Sequence, residues 1–302
     1  MYSGVFPIVP TPFEASGELD IVGQMRVVDF LIDAGVDGMC ILANYSEQFA
    51  LTDDERDRLT ARILAHVAGR VPVIVTTSHY SSRVAAARGK RAQELGARML
   101  MLMPPYHGAT IRAKEDDIIT FFRIVAASVD LPILIQDAPV SGVALSAAFL
   151  ARLAGEIDQV RYVKVETPSA AAKLRELIAL AGPAVEGPFD GEESITLLPD
   201  LDAGATGTMP SSMIPEVLGR IVRLYTCGQR DEAVALYERY LPLINYENRQ
   251  CGLLATKALM KEGGIIASEA ARHPTPPLHP TTRARLIELA RRLDPLILRW
   301  AR

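Results

Sequence analysis

The sequence predicts an α/β fold: a (β/α)8 TIM barrel followed by a C-terminal helical extension. Three observations carry that expectation. Short apolar runs rich in Val, Ile, Leu and Met recur eight times along the chain, and segments of helical periodicity separate them. A chain of 302 residues, 49% of them hydrophobic, can bury a large core and is long enough for one barrel of roughly 250 residues plus an appendage. Nearly continuous apolar strands belong to a sheet covered on both faces, and eight βα repeats close most simply into a barrel. A doubly wound open sheet is the alternative.

In order, the expected strands occupy residues 5–9, 38–42, 71–76, 99–103, 132–136, 162–166, 184–187 and 207–209. The intervening helices are expected over 20–34, 53–68, 81–95, 114–128, 146–154 and 169–181. Thr52-Asp53-Asp54-Glu55 reads as a capping-box start, and Gly35, Gly69, Gly96 and Gly182 stand where a helix must stop before the next strand. Beyond residue 212 the pattern is helical to 225, again over 231–260 and over 281–301, with a Pro-rich connection at 273–280. The domain reading is therefore a barrel catalytic domain over 1–225 and a helical extension over 226–302.

Charge and composition exclude several function classes. Lys plus Arg number 32 against 36 Asp plus Glu, a formal charge of −4, so no nucleic-acid partner held by counterion release is expected. Cys40, Cys227 and Cys251 show no C-x-x-C spacing, which supports neither a disulfide framework nor a zinc site. The histidines of the Pro-rich connection, His273 and His279, read as solvated side chains rather than metal ligands. No run approaches 18 uninterrupted apolar residues, and the amino terminus lacks a basic stretch followed by an apolar one. The reading is a cytoplasmic protein with no metal and no membrane partner.

Barrel enzymes carry their chemistry at the carboxyl ends of strands. The residues placed there are Asn44, Tyr45, Ser46 and Glu47 after strand two, Tyr106 and His107 after strand four, Gln136, Asp137 and Ser141 after strand five, and Lys164 and Glu166 in strand six. Period-2 alternation puts Tyr162, Lys164 and Glu166 on one face and Val163 and Val165 on the other. A lysine desolvated inside a barrel has its ammonium form disfavoured and becomes a nucleophilic amine able to form a Schiff base. Spacing alone serves equally well a structural Lys164–Glu166 ion pair. Tyr45 and Tyr106 can equally be packing aromatics, and Asp137 can pair with a nearby cation.

The order of these residues resembles the dihydrodipicolinate synthase and N-acetylneuraminate lyase superfamily, class I lyases that bind a 2-oxo acid as a lysine imine. Gly4-Val5-Phe6-Pro7-Ile8-Val9-Pro10-Thr11-Pro12-Phe13 resembles the family's opening strand, Pro104-Pro105-Tyr106 its strand-four tyrosine motif, and Lys164 its Schiff-base lysine. The departures are informative. The family's Gly-Thr-Thr/Ser-Gly-Glu loop is here Ala43-Asn44-Tyr45-Ser46-Glu47, its catalytic tyrosine position is Gln136, and the arginine common soon after it aligns with Ser141. A dihydrodipicolinate synthase is therefore not expected.

Gln136-Asp137-Ala138-Pro139-Val140-Ser141-Gly142, Lys164-Val165-Glu166 and Gly187-Pro188-Phe189-Asp190-Gly191-Glu192-Glu193 resemble a narrower branch, the L-2-keto-3-deoxyarabonate dehydratases. The resemblance implies a hydro-lyase that converts a 2-oxo acid to 2,5-dioxopentanoate through an imine on Lys164, with Glu166 as acid/base and Tyr45 supplying a hydroxyl. It implies no cofactor beyond the covalent imine. Asn44, Tyr45 and Ser46 would hold the carboxylate, with Gln136, Ser141, Gly187, Met209 and Ser211 lining the pocket. A homo-oligomer, dimer or tetramer, with Tyr106 reaching a neighbouring subunit, follows by the same analogy. The alternatives are a pyruvate-releasing aldolase on a 2-keto-3-deoxy sugar acid and a non-catalytic ligand-binding relative.

Overall fold

The computed structural model describes residues 1–108 and 111–301. In chain order its first elements are strand β1 (Gly4–Val5), helix α1 (Ile21–Asp33), β2 (Met39–Ile41), α2 (Asp53–Val67), β3 (Val73–Thr76), α3 (Ser82–Glu94), β4 (Met99–Leu102) and α4 (Glu115–Ala126). There follow β5 (Ile133–Asp137), α5 (Ala147–Glu156), β6 (Val160–Val165), α6 (Ala170–Ala181), β7 (Gly187–Asp190), α7 (Leu197–Asp202), β8 (Gly207–Thr208) and α8 (Pro215–Thr226). Helices α9 (Arg230–Tyr246), α10 (Leu254–Glu262) and α11 (Pro280–Leu293) complete the chain. Eight βα repeats and a helical tail are the element order of the expected (β/α)8 barrel.

The contacts divide the chain into two compact units. One comprises Met1–Ser3, Pro72–Glu192 and Thr196–Met209. Within it β3, β4, β5, β6, β7 and β8 lie side by side, all parallel. The register sets Lys164 beside Gln136 and Phe189, and Val165 beside Asp137 and Asp190. Strands β3, β4 and β5 are buried on both faces, which is why they read as largely apolar runs rather than alternating ones. Helix α4 shows how the outer layer seats: Ile118, Phe121, Phe122 and Val125 recur at helical spacing and are buried.

The other unit comprises Gly4–Val71, Glu193–Ile195 and Pro210–Arg302. Here Ile8 makes parallel bridges to both Cys40 and Ser211. Asp20 caps α1 by accepting from the Gly23 amide at 2.7 Å. Thr52 and Glu55 form the expected reciprocal capping box, at 3.2 Å and 2.9 Å.

Element bounds are corrected at two places, and one helix was not anticipated. The strand expected at 184–187 is β7, Gly187–Asp190, so its carboxyl end is Asp190 and Gly187 stands at its start. The short helix α7 carried no periodic signal. The helix expected over 231–260 is broken by a π-turn at Glu247–Cys251, after which Gly252 adopts φ +55°.

Candidate active site

In the first unit the sharpest feature is on β6. Lys164 Nζ contacts Glu166 Oε1 directly, with the two side chains 4% and 14% exposed. The alternation of the strand brings these two residues to one side. Gln136, on the adjacent strand β5, donates through Nε2 to Glu166 Oε2 at 3.1 Å. A carboxylate is an acceptor only, so the amide's NH2 must face it. The Gln136 carbonyl oxygen, Oε1, is then left buried with no donor among the described residues. An unfilled acceptor beside a lysine–carboxylate pair is suited to a substrate hydroxyl.

Gly191, directly after β7, closes on this pair. A Cβ there would stand 2.4 Å from Glu166 Cγ and 3.2 Å from Lys164 Cε, so only glycine leaves the pair its room. Asp137 turns the other way and meets Lys173 of α6, Oδ2 to Nζ 2.5 Å. Burial pushes the Asp137 carboxyl above its usual range, while Lys173 opposes the shift. A cavity of about 510 Å3 opens beyond the carboxyl ends of β5 and β6, with Asp137, Pro139, Thr167, Pro168 and Lys173 in its wall.

Other expected residues are committed to the scaffold of this unit. The Ser141 hydroxyl donates to the Ala138 carbonyl at 3.0 Å and accepts from the Val143 amide at 3.1 Å. A Cβ on Gly187 would meet the Tyr162 ring at 2.8 Å. Met209 is fully buried and its amide donates to the Asp190 carbonyl at 2.9 Å. Tyr106 opens a short hairpin, Tyr106–His107 with Ile111–Arg112, where burial raises its phenol above the usual range. Asp190 and Asp200 form a fully buried carboxyl pair, with Thr208 donating to Asp190 at 2.5 Å and Thr196 to Asp200 at 2.8 Å. Burial raises both carboxyls.

Sequence reasoning missed Lys173, Gly191, Asp190 and Asp200. Each meets its partner on another element, so no local period marked it.

In the second unit Asn44, Tyr45 and Ser46 form a single 3-10 turn. Ser46 is buried, and its hydroxyl donates to the Val9 carbonyl at 2.6 Å while accepting from the Ala43 amide. Thr11 donates to the Ser46 carbonyl at 2.7 Å. Asn44 accepts from Gln48 at 3.0 Å, and both Asn44 and Tyr45 are half-buried. Ser211 is buried and hydrogen-bonds Glu247, whose carboxyl burial raises well above the usual range.

Among the described residues no group of three or more His, Cys, Asp or Glu side chains is arranged to hold a metal ion. Nor is any described helix long and apolar enough to cross a membrane.

A lysine–carboxylate pair at this point of a βα chain directs attention to relatives. The model of the dihydrodipicolinate synthetase family matches residues 1–293. The chain belongs to that family. It is 63% identical over 300 residues to an L-2-keto-3-deoxyarabonate dehydratase of Azospirillum brasilense, covering 99% of this chain and 97% of the relative. It is 30% identical over 289 residues to a 4-hydroxy-tetrahydrodipicolinate synthase of Pelobacter propionicus, covering 95% and 97%. The solved dihydrodipicolinate synthase of Rhodopseudomonas palustris superimposes with a TM-score of 0.88 at 28% identity, over 96% of this chain and 97% of that one. The family membership makes the fold a (β/α)8 barrel.

Proposed function

We propose that this chain is a class I hydro-lyase that dehydrates L-2-keto-3-deoxyarabonate to 2,5-dioxopentanoate through an imine on Lys164. The observation that carries the reading is the buried Lys164–Glu166 contact. Two sets of facts support it: the 63% identity to a dehydratase of that name, and the replacement of the family's tyrosine by Gln136.

The chemistry follows from the contacts. For Lys164 to attack the C2 ketone its nitrogen must shed a proton, which leaves again with the carbinolamine hydroxyl as water. Loss of water from the carbinolamine gives the cationic imine, which acidifies C3. Glu166 removes a C3 proton, and the resulting enamine expels the C4 hydroxyl as Glu166 returns the proton to it. Deprotonation at C5, tautomerisation to the aldehyde and hydrolysis of the imine release the product, so one water is lost overall. Gln136 fixes the orientation of Glu166 through Nε2 and offers Oε1 to a substrate hydroxyl.

The rest of the assignment belongs to the same proposal. Asn44, Tyr45 and Ser46 hold the substrate carboxylate, Tyr45 supplies the hydroxyl that Gln136 lacks, and Ser141, Met209 and Ser211 shape the pocket, whereas Gly187, at the opposite end of β7, does not. No cofactor is needed beyond the lysine imine. The enzyme works in the cytoplasm as a homo-oligomer, with Tyr106 at a subunit interface.

The test is borohydride reduction in the presence of L-2-keto-3-deoxyarabonate, followed by peptide mass analysis and product assay. An adduct on Lys164 with 2,5-dioxopentanoate formed is expected. Pyruvate and glycolaldehyde as products would make the chain an aldolase, and no adduct at all would overturn the imine.

A further inference from the structure

The turn that carries Asn44, Tyr45 and Ser46 ends in a residue whose side chain is held from far along the chain. Glu47 adopts φ +56°, ψ +38°, between the 3-10 turns Asn44–Ser46 and Gln48–Ala50, a left-handed conformation that a non-glycine residue holds only where its surroundings over-determine it. Its carboxylate forms an ion pair with Lys257 of α10, 210 residues later, and both side chains are fully buried. Burial pushes the Lys257 ammonium below its usual range, and Glu47 opposes that shift.

A second cation completes the clamp. Arg272 donates to the Ala50 carbonyl at 2.9 Å and to the Gly17 carbonyl at 2.8 Å, and pairs with Glu55 through both of its terminal nitrogens. Lys257 and Arg272 each stand 4.5 Å from the centre of the Phe13 ring, within cation–π range. Segment 43–51 is therefore held at Ser46 by Val9 and Thr11, and at Glu47 and Ala50 by residues of the C-terminal segment. Two buried charges are costly unless their geometry is used, and here it fixes a turn that local hydrogen bonds alone leave in a strained conformation.

We propose that Lys257 and Arg272 are positioning residues for substrate binding, holding through Glu47 and Ala50 the turn that receives the substrate's carboxylate. The inference rests on the reading that residues 44–46 bind that carboxylate. It gives the C-terminal helices a part in the reaction without any contact with the reacting atoms.

The experiment uses the full-length double variant Glu47→Gln/Lys257→Met, because losing both charges avoids a lone buried ion. Two borohydride-trapping probes are compared well below the melting temperature: pyruvate, which has the carboxylate, and pyruvamide, which does not. Loss of one charge-assisted anchoring contact is expected to raise the half-saturating pyruvate concentration and the KM for the sugar acid by about tenfold or more. The pyruvamide concentration and kcat should stay within about threefold of wild type.

Arg272→Gln, which leaves the Glu47–Lys257 pair intact, should raise the pyruvate concentration in the same selective way by a smaller factor. Should the double variant fail to fold, this single variant decides. Equal loss with both probes, or no change with either, would overturn the proposal. If the wild-type protein traps neither pyruvate nor the sugar acid, the imine reading itself fails and this inference falls with it.

Discussion

Replacing Gly191 by alanine tests whether the Lys164–Glu166 contact matters for the reaction. The new Cβ would lie 2.4 Å from Glu166 Cγ, 3.0 Å from the Val165 carbonyl oxygen and 3.2 Å from Lys164 Cε. Carbon atoms rest at about 3.5 Å or more, so the Glu166 side chain must retreat by about 1 Å. The Val165 oxygen is backbone and cannot swing aside. Gly191 does not occupy the left-handed region, so the substitution brings crowding rather than φ strain.

A displacement of about 1 Å in a catalytic group costs about a hundredfold in rate, equivalent to about 2.7 kcal/mol of activation free energy. Crowding of this kind destabilises the fold by about 1–3 kcal/mol, which sets a melting decrease of some degrees. Steady-state turnover, followed as 2,5-dioxopentanoate formation, together with a thermal melt, separates the two effects. We expect kcat to fall by about a hundredfold while the protein remains folded at the assay temperature. A kcat within about twofold of wild type would refute the argument that Glu166 must touch Lys164.

Three further outcomes follow from other contacts. Glu166→Gln keeps the size of the side chain but cannot move protons, so imine trapping should persist while elimination falls by about 10²–10⁴-fold; turnover within tenfold of wild type would leave Glu166 as the lysine's partner only. Lys173→Met leaves the Asp137 carboxylate buried and unpaired, and should cost about 3–5 kcal/mol in denaturant unfolding. An added Asp137→Asn should restore most of that loss, and its failure to do so would contradict the ion-pair account. The Arg272 guanidinium holds the Glu55 carboxyl at about 2 instead of 4.5. A lowered value contributes stability above the unfolded-state value that is lost on acidification. The stability advantage of wild type over Glu55→Gln should therefore be full at neutral pH and shrink between about 4.5 and about 2; an advantage independent of pH would remove the electrostatic explanation.

Local signals explain which parts of the fold could be read directly. Thr52 and Glu55 are three residues apart, and the helix geometry that follows forces their reciprocal hydrogen bonds. Gly35, Gly69, Gly96 and Gly182, read as helix stops, all have positive φ, a backbone conformation that glycine adopts without a Cβ penalty. Where no period or cap marked an element, reading failed. Pro188 and Phe189 gave β7 no clean apolar run, so its position was displaced by three residues at the start. Helix α7 is only 6 residues long, too short for a periodic pattern to show.

The same division holds for the candidate site. Lys164 is on β6 and Glu166 directly follows its last residue, so the strand's alternation carried one position further places them together. The sequence by itself therefore determined the βα order, the Thr52–Glu55 cap and the juxtaposition of Lys164 with Glu166, because each depends on residues within a few positions of one another. Only the tertiary structure decided that Gln136 orients Glu166 from the next strand, that Lys173 answers Asp137, and that Glu47 meets Lys257 across 210 residues of chain. These are directional contacts between side chains on separate elements, and their partners are set by strand register and helix packing rather than by any local period.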